Sequence, residues 1–310
     1  MKKLIIPSLL TVMLLVAAFI GPGHAQSTAN DLKPTFISPT PGLYVNGWPS
    51  FTVSYPKEWG EAPLLGPFSV FHVGVARPEL PSSTYLPALT IVVFYVPLPL
   101  EDWAKWDMPM YLQAGTDIKV LSDKPSRLKD GTAAWEREIE YVSKISGRKV
   151  NDFGLMTKKG LVWVAIHLDD DKGRIGEDLK KIAYSLTFLQ GREEPVKVPL
   201  DVRAFLEMYR VDVLSGDVRT MMAHFSDRFL WGGMGKAFVE PGLRNDPANQ
   251  QGIISFEPTV TVFEPRGDKA YVDGFWLRKA KGDADAVKIP MFFQQISKEN
   301  GQWKWFGNQK

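Results

Sequence analysis

Residues 133–168 carry AAWEREIEYV (133–142), a Ser146-Gly147 turn, VNDFGLMT (150–157), a Lys158-Lys159-Gly160 turn and LVWVAIHL (161–168). Short runs rich in β-formers, separated by glycine turns, pair as hairpins, so the spacing predicts three adjacent antiparallel strands. Upstream, Leu89 to Val96 is apolar on both faces, the pattern of a central strand covered on both sides. Phe68 to Val75 reads as a strand, and Phe51, Val53 and Tyr55 alternate with polar residues until Pro56 ends the run. Leu100 to Leu112 has helical spacing through Leu100, Trp103, Ala104 and Met110, with Pro109 expected to kink or end it. Downstream, Leu179, Ile182, Ala183 and Leu186 form the apolar stripe of a helix over Gly176 to Leu186. Strands closed by packing helices make an α+β domain over residues 47–190, preceded by an extended leader at 26–46, where Pro34, Pro39 and Pro41 rule out a regular element.

Residues 191–200 are charged, hold two prolines and lack periodicity, which reads as a linker. Asp201 is placed to cap a helix whose Val202, Phe205, Leu206, Tyr209 and Val213 share one face, with Gly216 stopping it. Asp217 caps a second short helix through Phe225, Arg228 to Trp231 is a short strand, and Gly232 to Gln251 is a loop-prone stretch with room for another helical turn, of a length that suggests a lid or rim. Four strands follow, at Ile253 to Phe263, Ala270 to Lys279, Val287 to Ile296 and Gln302 to Phe306. A second α+β domain at 201–310, a curved antiparallel sheet wrapped around helices, is the expectation.

The N-terminus begins with Lys2 and Lys3, continues with the apolar run Leu4 to Ile20 and ends in Gly23-His24-Ala25, the layout of a secretory signal at 1–25 cleaved after Ala25. A retained anchor is the alternative, since the run is just long enough to cross a bilayer. A periplasmic or secreted protein, with no stable membrane insertion after cleavage, is expected. The chain has 310 residues and no Cys, which excludes disulfides, thiolate metal sites and a Cys nucleophile. A net charge of +2 points away from nucleic acid and anionic membranes.

Residues 47–190 resemble the PsbP-like α/β/α sandwich through FTVSYPKEW (51–59), GTAAWEREIEYV (131–142) and IAYSLTF (182–188). Residues 200–310 resemble the nuclear transport factor 2-like superfamily through the helix at Val202 to Tyr209, the Ser215-Gly216-Asp217 break, HFSDRFLW (224–231) and GQWKWFGNQ (301–309). The first resemblance implies binding and assembly roles. The second implies a cone-shaped pocket between sheet and helices, used by some members for catalysis and by others for binding. In that layout His224 with Asp212 or Asp273 resembles an acid/base pair, and Tyr209, Asp227, Trp231, Trp276 and Gln294 line the pocket. The plainer reading makes His224 and Asp227 helix-end residues and the tryptophans core.

Gly232-Gly233-Met234-Gly235-Lys236 lacks the spacing of a nucleotide loop, and Ala237 stands where the magnesium-holding hydroxyl belongs. His167 with Asp169, Asp170 and Asp171 has the donors of a metal site, but strand alternation turns neighbours to opposite faces, so a solvated acidic turn is preferred. Glu136, Glu138 and Glu140 share a strand face expected to be wet, with Arg137, Ile139 and Tyr141 opposite. Trp103, Trp106, Met108 and Met110 read as core or as an aromatic partner patch. No cofactor or metal is expected. The sequence thus points to an exported two-domain binding or assembly module whose partner is a protein or a small apolar ligand, with a homodimer through the C-terminal sheet also considered. The alternatives are a small-molecule lyase, isomerase or hydrolase, or a structural component of an envelope complex.

Overall fold

The computed structural model describes residues 32–309 except 65, 67, 82 and 83. The expected signal at 1–25 and the first leader residues lie outside the described residues. Within them the chain divides into two compact units, one ending at Arg192 and the other beginning at Glu193. Both are α+β with predominantly antiparallel sheets. No helix among the described residues is long and apolar enough to cross a membrane.

In the first unit β1 (Leu43–Val45), β2 (Phe51–Ser54), β3 (Gly60–Glu61), β4 (Ser69–Ala76) and β5 (Tyr85–Tyr95) precede α1 (Trp103–Ala114). Then follow β6 (Gly115–Arg127), β7 (Ala133–Ser143), β8 (Lys149–Lys159), β9 (Val162–Asp170), α2 (Glu177–Ala183) and β10 (Thr187–Phe188). Seven strands form one sheet in the order β3-β4-β5-β9-β8-β7-β6, while β1, β2 and β10 form a second, small sheet. Strand alternation assigns the two faces. Trp103, Met110, Met156, Trp163 and Ala165 make a buried cluster beneath α1. On the opposite face Phe153 meets Tyr184 just past α2, at a ring separation of 6.2 Å, and carries Lys180 over its ring. Tyr44 of β1 stacks on Phe71 of β4 at 4.5 Å, which seats the small sheet on that face. Gly154 is where α1 comes closest, since a Cβ there would lie 2.7 Å from the Trp103 ring.

Two expectations for this unit are corrected and one strand is added. The leader does not stay extended to residue 46, because Leu43–Val45 pairs with β2 after a turn made possible by Gly42 at φ 83°. Pro109 does not end α1, which runs to Ala114 because Trp103, Met110 and Tyr111 bury one side of it. The 13-residue β6, unassigned from sequence, is the sheet edge. Its exposed side chains, Pro125 and two register shifts are the features of a guarded edge strand.

The second unit contains α3 (Leu200–Ser215), α4 (Val218–Ala223), β11 (Phe225–Trp231), β12 (Met234–Gly235), α5 (Lys236–Asn245) and α6 (Pro247–Gln251). These are followed by β13 (Ile253–Arg266), β14 (Lys269–Ala280), β15 (Val287–Pro290), β16 (Gln295–Glu299) and β17 (Gln302–Gly307). The sheet order is β12-β11-β17-β16-β14-β13, with β15 paired to β14, and β11 runs parallel to β17. The loop-prone stretch at 232–251, expected to hold one further helical turn, holds two helices, α5 continuing through Pro241 and α6 capped by Asp246. Pro199, not Asp201, takes the N-cap position of α3, and the Asp201 carboxylate instead accepts from Lys298 and the Trp303 indole. The expected strand over Val287 to Ile296 is two strands meeting different parts of β14, separated where Pro290 cannot continue the ladder.

Gly307 has φ 95°, and a Cβ there would sit 1.8 Å from the Leu230 carbonyl oxygen. Gly307→Ala is therefore expected to destabilise the second unit by more than about 2 kcal/mol. The urea-unfolding midpoint measures it, and a midpoint equal to wild type would show that β11 and β17 tolerate separation.

Candidate functional site

The residues expected to line a C-terminal pocket divide into separate groups. Tyr209 of α3 is central, with ring separations of 5.6 Å to His224, 5.7 Å to Trp276 and 5.6 Å to Trp305. Trp276 stacks on Phe256 at 4.4 Å. His224 ends α4, and its Nε2 lies 2.6 Å from Asp212 Oδ2 on the last turn of α3, so that expected pair does form. Asp273 is fully buried and accepts hydrogen bonds from the Tyr271 hydroxyl (3.0 Å), the Gly274 amide (2.7 Å) and Gln294 Nε2 (3.3 Å). Trp231 packs on Phe293 at 5.4 Å, and Phe293 meets Phe225 at 4.9 Å.

Asp227 is corrected out of this set. Its side chain is 91% exposed and pairs with Lys236, because strand alternation turns it away from its neighbour Ser226. Aromatic rings occupy the space between α3 and the sheet. In the glycine run, the Gly232 amide is already used by Asn308 Oδ1 at 2.9 Å, and Met234–Gly235 pairs with β11.

A denser group of titratable side chains lies in the first unit, between α1 and the seven-stranded sheet. Asp107 and Tyr111 are one turn apart on α1, and Arg137 (β7), Asp152 (β8), His167 and Asp169 (β9) rise to meet them. All six are buried. Arg137 donates to Asp107 Oδ2 at 3.2 Å and to Asp123 Oδ2 at 3.3 Å, and its guanidinium lies 5.1 Å from the Trp103 ring centre. The Tyr111 hydroxyl donates to Asp152 Oδ1 at 2.6 Å, and His167 Nδ1 is 3.2 Å from Asp152 Oδ2. Asp152 and Asp169 are direct cross-strand partners. Among the described residues, Asp107 Oδ1, Arg137 Nε and both Asp169 oxygens have no hydrogen-bond partner.

Burial pushes Asp107 up to about 6 against the pull of His167 and Arg137. Burial, reinforced by the charge of Asp152, holds the Asp169 carboxyl well above the usual range. For His167, burial opposes the charged form, but Asp152 and Asp107 outweigh it and keep the imidazole above its ordinary value.

His167 and Asp169 thus share a face, while Asp170 lies on the other and Asp171 pairs with Arg77 and Arg148. No three His, Asp or Glu among the described residues are arranged to hold a metal. The glutamate stripe opposite is corrected from a wet face. Glu138 is 4% exposed and bonds Arg174 and Lys180, and Glu136 bonds Tyr184 and Lys124, because α2 and the segment before it cover them. Trp103 and Met110 are core, and the Trp106 side chain lies outside the described ones. Asp107, Tyr111, Arg137 and Asp152 escaped the sequence reading. The available signal was Arg137 alternating with the inward Ile139 and Tyr141. At the edge of the same face, Leu100, Glu101, Pro125, Arg127, Ala133 and Trp135 line an open groove of about 380 Å³.

No family model matches the chain, and no curated protein matches it. Among solved structures it is similar to cyanobacterial PsbP from Synechocystis, at 14% identity over 48% of this chain and 94% of that one, with a TM-score of 0.37. It is also similar to a Pseudomonas aeruginosa protein of unknown function at 11% identity (39% of this chain, 77% of that one, TM-score 0.24). A Bacteroides thetaiotaomicron protein matches at 11% identity (85% of this chain, 88% of that one, TM-score 0.32). At these TM-scores the likenesses carry no argument.

Asp107, Asp169 and His167 all bind their protons more tightly in the folded chain than in the unfolded one. The stability each contributes is complete below its ordinary value and lost as pH rises through its folded one. Glu136 and Glu138, held below the usual carboxylate range, lose their contribution only at lower pH and stay constant above it. The first unit is therefore expected to lose at least about 1 kcal/mol between about pH 5.5 and about pH 8.5. Urea unfolding followed at both values checks this, and a stability rising with pH over that interval would contradict it.

Proposed function

We propose that this chain is an exported binding or assembly module, a PsbP-like unit followed by a nuclear transport factor 2-like unit, acting by contact with a partner rather than by catalysis. The observation that carries this reading is the aromatic filling of the second unit, where Tyr209, Phe225, Trp276, Phe293 and Trp305 occupy the space a substrate would need. The two-helix start, the helices α5 and α6 and the bent sheet beneath them support the second-unit assignment. The helices on opposite faces of the large sheet support the first. The groove beside Trp135 is the recess available to a protein partner.

A second reading rests on the His224–Asp212 pair, whose 2.6 Å contact is that of an imidazole oriented by a carboxylate. It makes the second unit a lyase, isomerase or hydrolase.

Titration of the mature chain with small apolar probes, followed by NMR at the Trp231 and Trp276 indole N–H groups, separates the two. Absence of saturable shifts is expected. Saturable shifts that weaken in His224→Ala would favour the enzyme. For export, protein recovered from a periplasmic extract is expected to begin at Gln26, and recovery with Met1 intact would exclude cleavage there.

A further inference from the structure

The polar cluster under α1 goes beyond what a core needs for packing. Asp152 and Asp169 face each other across β8 and β9, both buried against α1, and Asp152 also accepts from Tyr111 and lies beside His167. Two carboxylates this close and this dry cannot both ionise at acceptable cost, so the pair holds a proton. The neighbouring charges are Asp107 on α1, Arg137 on β7 and His167 on β9, with Asp123 at the partly exposed edge reached through Arg137. Tyr111 and Tyr141 also face the cluster, and Asp170 lies next to Asp169 on the other side of the sheet.

With Asp169 protonated and His167 charged, the buried set is balanced, Asp107 against Arg137 and Asp152 against His167. Once both protons leave, three carboxylates face Arg137 alone.

We propose that α1 is a proton-latched cover, held on the sheet while the Asp152–Asp169 pair and His167 keep their protons and loosened when those protons are lost. The latch acts on α1 and not on α2, because only α1 supplies side chains to the cluster. Tyr111 donates into the Asp152 carboxylate, and Asp107 closes on Arg137. Loss of charge balance weakens both contacts at once, leaving the apolar packing of Trp103, Met110, Tyr111 and Ala114 among the described side chains to hold the helix. Loosening opens the edge where the turn before α1 contributes Leu100 and Glu101 to the groove.

The test is hydrogen exchange of the α1 amides in the full mature chain at about pH 5.5 and about pH 8.5, corrected for intrinsic exchange rates, with β9 as internal reference. The expected result is a drop in α1 protection of at least about tenfold at the higher pH. Asp169→Asn, neutral at any pH, is expected to shrink that drop to the part carried by His167. Equal α1 protection at the two pH values in the wild-type chain overturns the proposal, as does an Asp169→Asn chain that loosens as wild type does. If Asp169→Asn does not fold, infrared spectroscopy of the wild-type chain decides. A protonated-carboxyl band that persists at about pH 7, above the titration of Asp107 at about 6, and is lost in step with α1 protection supports the latch, and absence of that band at about pH 7 overturns it.

Discussion

A sheet that carries charge on both faces can be buried only where each charge meets a partner, and the first unit is organised around that constraint. Along β7, alternation sends Arg137 toward α1 and Glu136 and Glu138 toward α2. Each helix is thereby more than an apolar cover. α1 brings Asp107 and Tyr111 to the inner charges, and α2 brings Lys180, with Tyr184 following, to the outer ones. Removing a partner on either side leaves an uncompensated buried charge, which costs on the order of 3–5 kcal/mol. Position and identity of both helices follow from the pattern of one strand.

The second unit solves its interior differently. Its core is a cluster of rings around Trp305, which meets Phe205 and Tyr209 edge-to-face and Phe293 at a tilt, with its polar groups satisfied in pairs. His224 and Asp212 satisfy each other, and Asp273 is supplied by Tyr271 and Gln294. Rings on the outer face are capped by cations, Lys269 and Arg228 over Phe306 and Lys288 over Phe275. The contrast between a polar seam in one unit and an aromatic fill in the other is why a titrating device is argued for the first alone.

What the sequence made legible follows the strength of its periods. The β7–β9 meander, the doubly apolar β5 and the stripe of α3 were readable because burial on one or both faces writes a regular spacing. β6 was not, because an edge strand exposed on most of its length has no inward set to repeat. α1 was readable as a helix, with Pro109 misleading only about its end, and α5 was obscured by Pro241, which packing overrides. Of the site residues, His224 with Asp212 was found because the two helix ends bring them together. The Asp107–Arg137–Asp152–His167 cluster was not, since its members are scattered over β7, β8, β9 and a helix, and of these only His167 stood out, as a metal donor beside Asp169.

In each large sheet two groups of strands are joined by the one made last, β9 between β5 and β8 and β17 between β11 and β16. A chain threaded or synthesised from its N-terminus therefore carries two open half-sheets, with unpaired edges on both sides of the gap, until the final strand arrives. Closure is a single late insertion in each unit. The interval before it is when the nascent chain most needs protection from pairing with a neighbour.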